Sequence, residues 1–435
     1  MKWEWVVLGM LTMALGVGVA QGAQAPGEPK HMGVASCASS VCHGKSAPQL
    51  NRDVLLNEYS VWTRSDRHSQ AFNRLKSARA LQIGAKLGIA NPSGEKICTV
   101  CHADAQPASA AATPATGPTS KFRQSDGVGC EACHGGAERW LDSHAQASAT
   151  HKENIARGMY PTDQPLQRAT LCLSCHLGTR DRFATHVIMG AGHPRLSFEL
   201  ETYTALQPRH YDVDDDYIRR KGVIEGMDLW VTGQLESAAR YLDLLDSALL
   251  MPGGMTPELS LYDCYSCHHS LEDQRWSRER AGSGVQPGML RLQRQSFVML
   301  QALAGIIAPA SLPDLQQATD ALMRAGQANP AAVQAAAARL RAGLKQCEPW
   351  SSRKYSPAEI IQVRKALLRL AVEDKASDFA VAEQVVMGME SMSYTLKDYS
   401  QRKSSLDVLF DKVKSGTGFS ASQFAEAARK LQSQF

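Results

Sequence analysis

Apolar positions recur with helical spacing through most of the second half of this chain. Residues 223–251 place Leu229, Leu235, Ala239, Leu242, Leu245 and Leu249 on related faces, which predicts a long amphipathic helix ended by Pro252-Gly-Gly. Asn329-Pro330 reads as N-cap and first residue of a helix running to about Leu344. Ser356-Pro-Ala-Glu359 is a capping box with proline at the first position, opening a helix to about Asp374. A further helix is expected over Asp378–Gln401, and Ser420 with Gln423 caps a last one. From about Glu279 this adds up to a bundle of five to seven helices, with Met387, Met389 and Met392 as core side chains. In the first half the pattern is weaker. A helical stretch is expected from about Val54 to Leu87, residues 103–120 are an Ala/Pro/Thr-rich loop, and Asp212–Asp216 is a short acidic run expected to be a solvated loop.

The N-terminus departs from both patterns. Lys2 precedes a 16-residue apolar run from Trp5 to Ala20, followed by small residues. This predicts a secretory signal over residues 1–25, cut after Gly22 because Pro26 follows the other small-x-small site. The rival is an uncleaved anchor, although the run is shorter than the ~20 apolar residues of a membrane span. The mature chain is therefore expected to be exported and periplasmic. It would be soluble, with membrane contact only if the N-terminal segment is retained.

Composition is ordinary, with 44% hydrophobic and 21% charged residues, which excludes disordered and polytopic membrane chains. The net charge of +4 comes from mixed signs without a basic patch, so no nucleic-acid partner is indicated. Cysteine and histidine are placed unevenly. Ten of the 11 Cys lie between Cys37 and Cys267, and none of the 13 His lies beyond His269. Cys347 is the odd one, expected to be a free thiol.

The ten cysteines form five motifs. Cys98-Thr-Val-Cys101-His102, Cys130-Glu-Ala-Cys133-His134, Cys172-Leu-Ser-Cys175-His176 and Cys264-Tyr-Ser-Cys267-His268 are each C-x-x-C-H. Cys37-Ala-Ser-Ser-Val-Cys42-His43 is a C-x4-C-H variant. On a helical turn, Cys at i and i+3 project to one side, so both thiols reach the vinyl groups on one porphyrin edge and the next His sits under the iron. One such motif is expected by chance about 0.01 times in a chain of this composition. Zinc knuckles or disulfides would not explain a His after the second Cys all five times. The reading is five covalently attached c-type haems, with His43, His102, His134, His176 and His268 as proximal ligands.

Eight histidines remain in the same region. His68, His144, His193, His186 and His31 are favoured as distal ligands; His210, His269 and His151 rank below them. For each, the alternative is a hydrogen bond to a haem propionate or an exposed ring. His269 follows a proximal His directly, so it could serve only a neighbouring iron.

These residues resemble the multihaem cytochrome c-554 type family. The matching stretches are Trp62…Ser65…His68…Ala71, Gly127-Val-Gly-Cys130-Glu-Ala-Cys133-His134-Gly135, His186-Val-Ile-Met-Gly-Ala-Gly-His193-Pro-Arg-Leu and Tyr262-Asp-Cys264-Tyr-Ser-Cys267-His268-His269, spread over about residues 31–276. The resemblance implies a mainly α, loop-rich module around stacked haems, periplasmic electron transfer, and distal ligation by His68 and His193. The chain departs from the family in having five motifs instead of four, in its C-x4-C-H motif, and in its long haem-free extension. Some relatives also keep one iron five-coordinate.

The expected organisation is a signal peptide (1–25), a pentahaem domain (26–276) and a haem-free helical bundle (277–435) for assembly or partner docking, including homo-oligomer packing. Two functions compete with electron transfer between redox proteins. One is an oxidoreductase with one open iron acting on nitrite, hydroxylamine, NO or a sulfur compound. The other is a structural subunit of a haem filament or redox complex. No motif ends in Cys-Lys, so no proximal ligand marks a nitrite-reducing centre.

Overall fold

The computed structural model describes residues 28–49, 54–105, 121–253, 255–269, 288–373, 375–414 and 418–435. The signal segment, most of the Ala/Pro/Thr loop and the 276/277 boundary lie outside these. Among the described residues the chain is helical, and the only β pairings are the bridges Thr179–Arg182 and Tyr262–Leu292. Among the described residues, nine helices have eleven residues or more: Pro165–His176 (α1), Gly226–Leu245 (α2), Gln295–Ile307 (α3), Leu312–Ala325 (α4), Pro330–Lys345 (α5), Pro357–Val372 (α6), Phe379–Thr395 (α7), Tyr399–Val413 (α8) and Ala421–Leu431 (α9). Seven of them follow residue 277.

The caps read from the sequence form as expected. Asn329 accepts from the Ala332 N–H at 2.9 Å to open α5, Ser356 and Glu359 close a reciprocal box on α6, and Ser420 accepts from Gln423 to open α9. Met389 and Met392 are buried in the core, as is Cys347, whose thiol is pushed up to about 11 by burial.

Three expectations change. The stretch 54–87 is a broken series: Glu58–Ser65, a 3-10 turn at Arg67–Gln70, Ala71–Arg74 and Ala78–Lys86. Asp66 and Ser77 break it by capping the next turn with their side chains, against the His68 and Ala80 N–H groups. The expected single helix over 378–401 is divided at Lys397, which has φ +59°. The break brings Asp398 onto the buried Arg364 at 2.7 and 2.9 Å. The acidic run is an exposed loop only through Asp214, which caps the helix Asp215–Lys221, with acids in its first turn and Arg219, Arg220 and Lys221 in its last.

Helix α2 was read as amphipathic, yet it is buried on most of its circumference. It packs on α1 and on the helix Leu200–Leu206 on one side, and on α3, α5 and α7 on the other. One apolar core therefore runs from Met227 through Tyr265 and on to Phe435, across the expected domain boundary. The region before it is different. Its buried apolar groups are small clusters such as Phe72–Leu75–Ala103 and Ala169–Leu173–Leu200.

Where the two regions meet, Glu201 lies buried on the helix Leu200–Leu206. Burial, reinforced by Glu199, raises its carboxyl to about 7. A carboxyl raised in the folded state binds more protons there than in the unfolded chain, so its contribution falls as pH rises from about 4.5 through 7. Glu201→Gln is expected to leave stability nearly unchanged at pH 5 and to raise it at pH 8, by up to about 3 kcal/mol for a shift of this size. Urea titrations at the two pH values check this; equal effects at both would exclude the assignment.

Candidate haem-binding site

The second, third and fourth motifs each lie at the C-terminal end of a helix. Lys96–His102, Cys130–His134 and α1 all finish on the motif histidine. The fifth begins on the 3-10 turn Cys264–Ser266, capped by Asp263. The first closes its longer loop with the His43 N–H donating to the Cys37 carbonyl at 3.1 Å. Gly44 is required there, since a Cβ would come within 2.0 Å of the Ala38 carbonyl oxygen.

Each motif histidine faces a second histidine across a gap. The pairs are His43–His144, His68–His176, His102–His193, His134–His210 and His186–His268, with ring centres 6.1, 6.2, 6.2, 6.1 and 6.3 Å apart. The spacing is nearly identical in all five, although the angle between the rings runs from 9° to 90°. An imidazole–metal bond of about 2.0–2.1 Å, with roughly 1.1 Å from nitrogen to ring centre, gives about 6.3 Å for two rings sharing one metal. The residues therefore fit a six-coordinate iron between each pair.

The outer nitrogens support the same reading. Nδ1 of His43 lies 2.9 Å from Glu58, and Nδ1 of His68 lies 2.9 Å from Asp66. Nδ1 of His102 reaches the Ala71 carbonyl at 3.1 Å, that of His144 the Leu141 carbonyl at 2.5 Å, and that of His193 the Pro194 carbonyl at 2.8 Å. A donating Nδ1–H fixes the tautomer that leaves Nε2 as a ligand. Burial, with a smaller contribution from each one's facing partner, pushes His134 and His176 down to about 4. Burial also lowers His193 and His210. These rings are neutral at neutral pH, the form that binds metal. The glutamate and aspartate beside His43 and His68 raise those two instead.

His210 ranked low in the sequence, yet it stands opposite His134. No spacing motif marks it, although it sits in the loop just before the acidic cap of Asp215–Lys221. His31, ranked above it, is placed elsewhere: Nδ1 is 2.9 Å from buried Asp104, and its ring edge faces Phe122. His151 binds Asp163 at 3.0 Å, and His269 faces Tyr265.

Among the described residues, the one cluster with metal-ligand spacing is His31, Asp104 and Glu131, and no motif cysteine belongs to it. Glu131 spends its oxygens on the backbone N–H groups of Met32, Gly33 and Ala137 at 2.7, 2.7 and 2.8 Å. The cluster ties residues 31–33 to the third motif.

The motifs lie close to one another. Cys37 is within hydrogen-bond reach of Cys130, and Cys101 of Cys175. Cys133 lies near enough to Cys172 that its thiol, raised mainly by burial, is pushed up further by that neighbour. The fifth motif stands apart, across a cavity with about 1120 Å³ of empty space, part of it open to solvent. His176 of the fourth motif and Cys264 of the fifth both line it, together with Phe183, Met189 and, from α7, Phe379 and Gln384.

Residues 36–135 match the family model described as cytochrome c554 and c-prime, a stretch that holds the first three motifs and His68. No curated protein and no solved structure matches. Among the described residues no helix is long and apolar enough to cross a membrane.

Glu131→Ala removes the acceptor of three backbone N–H groups at a site 2% exposed. At 1–3 kcal/mol for each unsatisfied group, the expected loss is about 3 kcal/mol or more. Denaturant unfolding of the haem-loaded chain measures it, and a loss under about 1 kcal/mol would show that the tether is dispensable.

Proposed function

We propose that this member of the cytochrome c554 family, matched to it through residues 36–135, conducts electrons through five covalently attached haems, each held between two histidines. The observation that carries the reading is the second imidazole facing every motif histidine at 6.1–6.3 Å. Haem c would be held by Cys37 and Cys42, Cys98 and Cys101, Cys130 and Cys133, Cys172 and Cys175, and Cys264 and Cys267. Bound there, it supplies reversible one-electron chemistry whose potential follows axial ligand, burial and hydrogen bonding.

The chain's own part is placement. The Nδ1 acceptors orient the rings, and burial keeps His134 and His176 neutral. The cysteine proximities support a relay running from the first motif through the third and fourth to the second. The fifth site would be reached from the fourth across the cavity beside His176. Catalysis at an open iron needs a motif histidine with no imidazole opposite it, and none of the five is in that position. The apolar run at residues 5–20 supports export to the periplasm, with other redox proteins as donor and acceptor.

A pyridine haemochrome assay is expected to give five haems per chain, and fewer than four overturns the reading. The ferric protein should show only low-spin signals. His210→Ala should convert one haem of five to a high-spin, carbon-monoxide-binding form. An unchanged spectrum would remove His210 from the ligand set.

A further inference from the structure

The fifth motif differs from the other four in what surrounds it. The turn Cys264–Ser266 is held from the C-terminal half of the chain. The Asp263 N–H donates to the Arg291 carbonyl at 2.7 Å, and Tyr262 pairs with Leu292. The Tyr265 hydroxyl donates to the Phe419 carbonyl at 2.9 Å. The carboxylate of Asp263 accepts from the Tyr265 N–H at 3.0 Å and the Ser266 hydroxyl at 3.1 Å, which sets the turn. The same carboxylate is bound by Arg291 at 3.2 Å, and Arg291 also binds Asp378, the N-cap of α7. Arg294 closes the group on Asp378 at 2.5 Å. Asp263, Arg291 and Asp378 are each at most 8% exposed, and with Arg294 they make a largely buried group of two acids and two arginines, at near-zero formal charge, beside Cys264.

Such a group is costly to bury, and a hydrophobic replacement would often be as stable. Its position argues for a task at the motif. One acid caps the attachment turn and the other begins the bundle helix that lines the cavity. We propose that Asp263, Arg291, Arg294 and Asp378 are positioning residues for the fifth haem: they present its attachment turn and set the electrostatic potential at that site. The bundle is then a cofactor scaffold for one haem. The inference rests on the five-haem reading, through the assignment of Cys264, Cys267 and His268.

The test uses the full chain with Asp378→Asn and Arg291→Met, read by spectropotentiometric titration and by mass spectrometry of the Cys264–His268 peptide. The fifth wave is identified as the one that moves in His186→Met. Removing an acid leaves a net positive charge and favours reduction, so Asp378→Asn should raise the fifth potential. Arg291→Met leaves a net negative charge and should lower it. The other four waves should stay in place. A merely structural role would not give shifts of opposite sign.

Absence of a shift, or shifts of the same sign, overturns the proposal. Should a variant mature without its fifth haem while the other four attach, that selective loss supports the positioning role. The control is Arg364→Met, which breaks the buried Arg364–Asp398 pair away from the motif. It should lower Tm yet keep five haems, and equal loss of the fifth haem there also overturns the proposal. A native Cys264–His268 peptide without haem would instead refute the five-haem reading itself, whatever the variants do.

Discussion

Everything in the first half of this chain depends on holding two imidazoles about 6.2 Å apart and aimed at each other, five times over. That spacing recurs whatever the angle between the rings, so packing of one ring on the other does not set it. It is set from outside, by short helices that end on the motif histidine and by acceptors that hold the outer nitrogen. The second histidine is held the same way. His68 hangs from the turn that Asp66 caps, and that carboxylate also takes its Nδ1. One side chain thus fixes both the backbone break and the ring orientation.

This explains the uneven core. Before residue 226 the buried apolar groups are few and scattered, because the interior is arranged around the gaps between histidines. Beyond it, α2 gathers α3, α5 and α7 into a conventional helical core. α2 also packs on α1, which carries the fourth motif, so the two architectures share a wall. The division expected at 276/277 reflected where histidine stops. Packing follows a different line, since Tyr262 and Tyr265 belong to the bundle's core while flanking a haem-attachment cysteine.

The five motifs were legible because their pattern is local: two thiols and an imidazole on one turn. The capped helices α5, α6 and α9 were legible for the same reason. The pairing of the distal histidines was not, because it spans 76 to 108 residues and depends on the fold. His210 and His31 show the limit. Both are single histidines in loops, and only the tertiary structure sets one opposite His134 and the other on Asp104. The helix breaks at Asp66, Ser77 and Lys397 failed similarly. The apolar period continues through each, and a side-chain cap or a distant ion pair overrides it.

The five sites are not electrically equivalent. At the first and fourth, a carboxylate accepts from one imidazole of the pair, Glu58 on His43 and Asp66 on His68. At the second, both rings give Nδ1 to neutral carbonyls, those of Ala71 and Pro194. A carboxylate acceptor makes the imidazole a more basic ligand and adds negative charge nearby, and both favour ferric over ferrous iron. Beside the fifth motif, among the described residues, stand the buried acid–arginine group, balanced as built and sensitive to any single change, and Arg195, which also acts on Cys264. On the proposed five-haem reading, one repeated ligand geometry would yield different potentials through its second partners, and a relay needs such differences if electrons are to run in one direction along it.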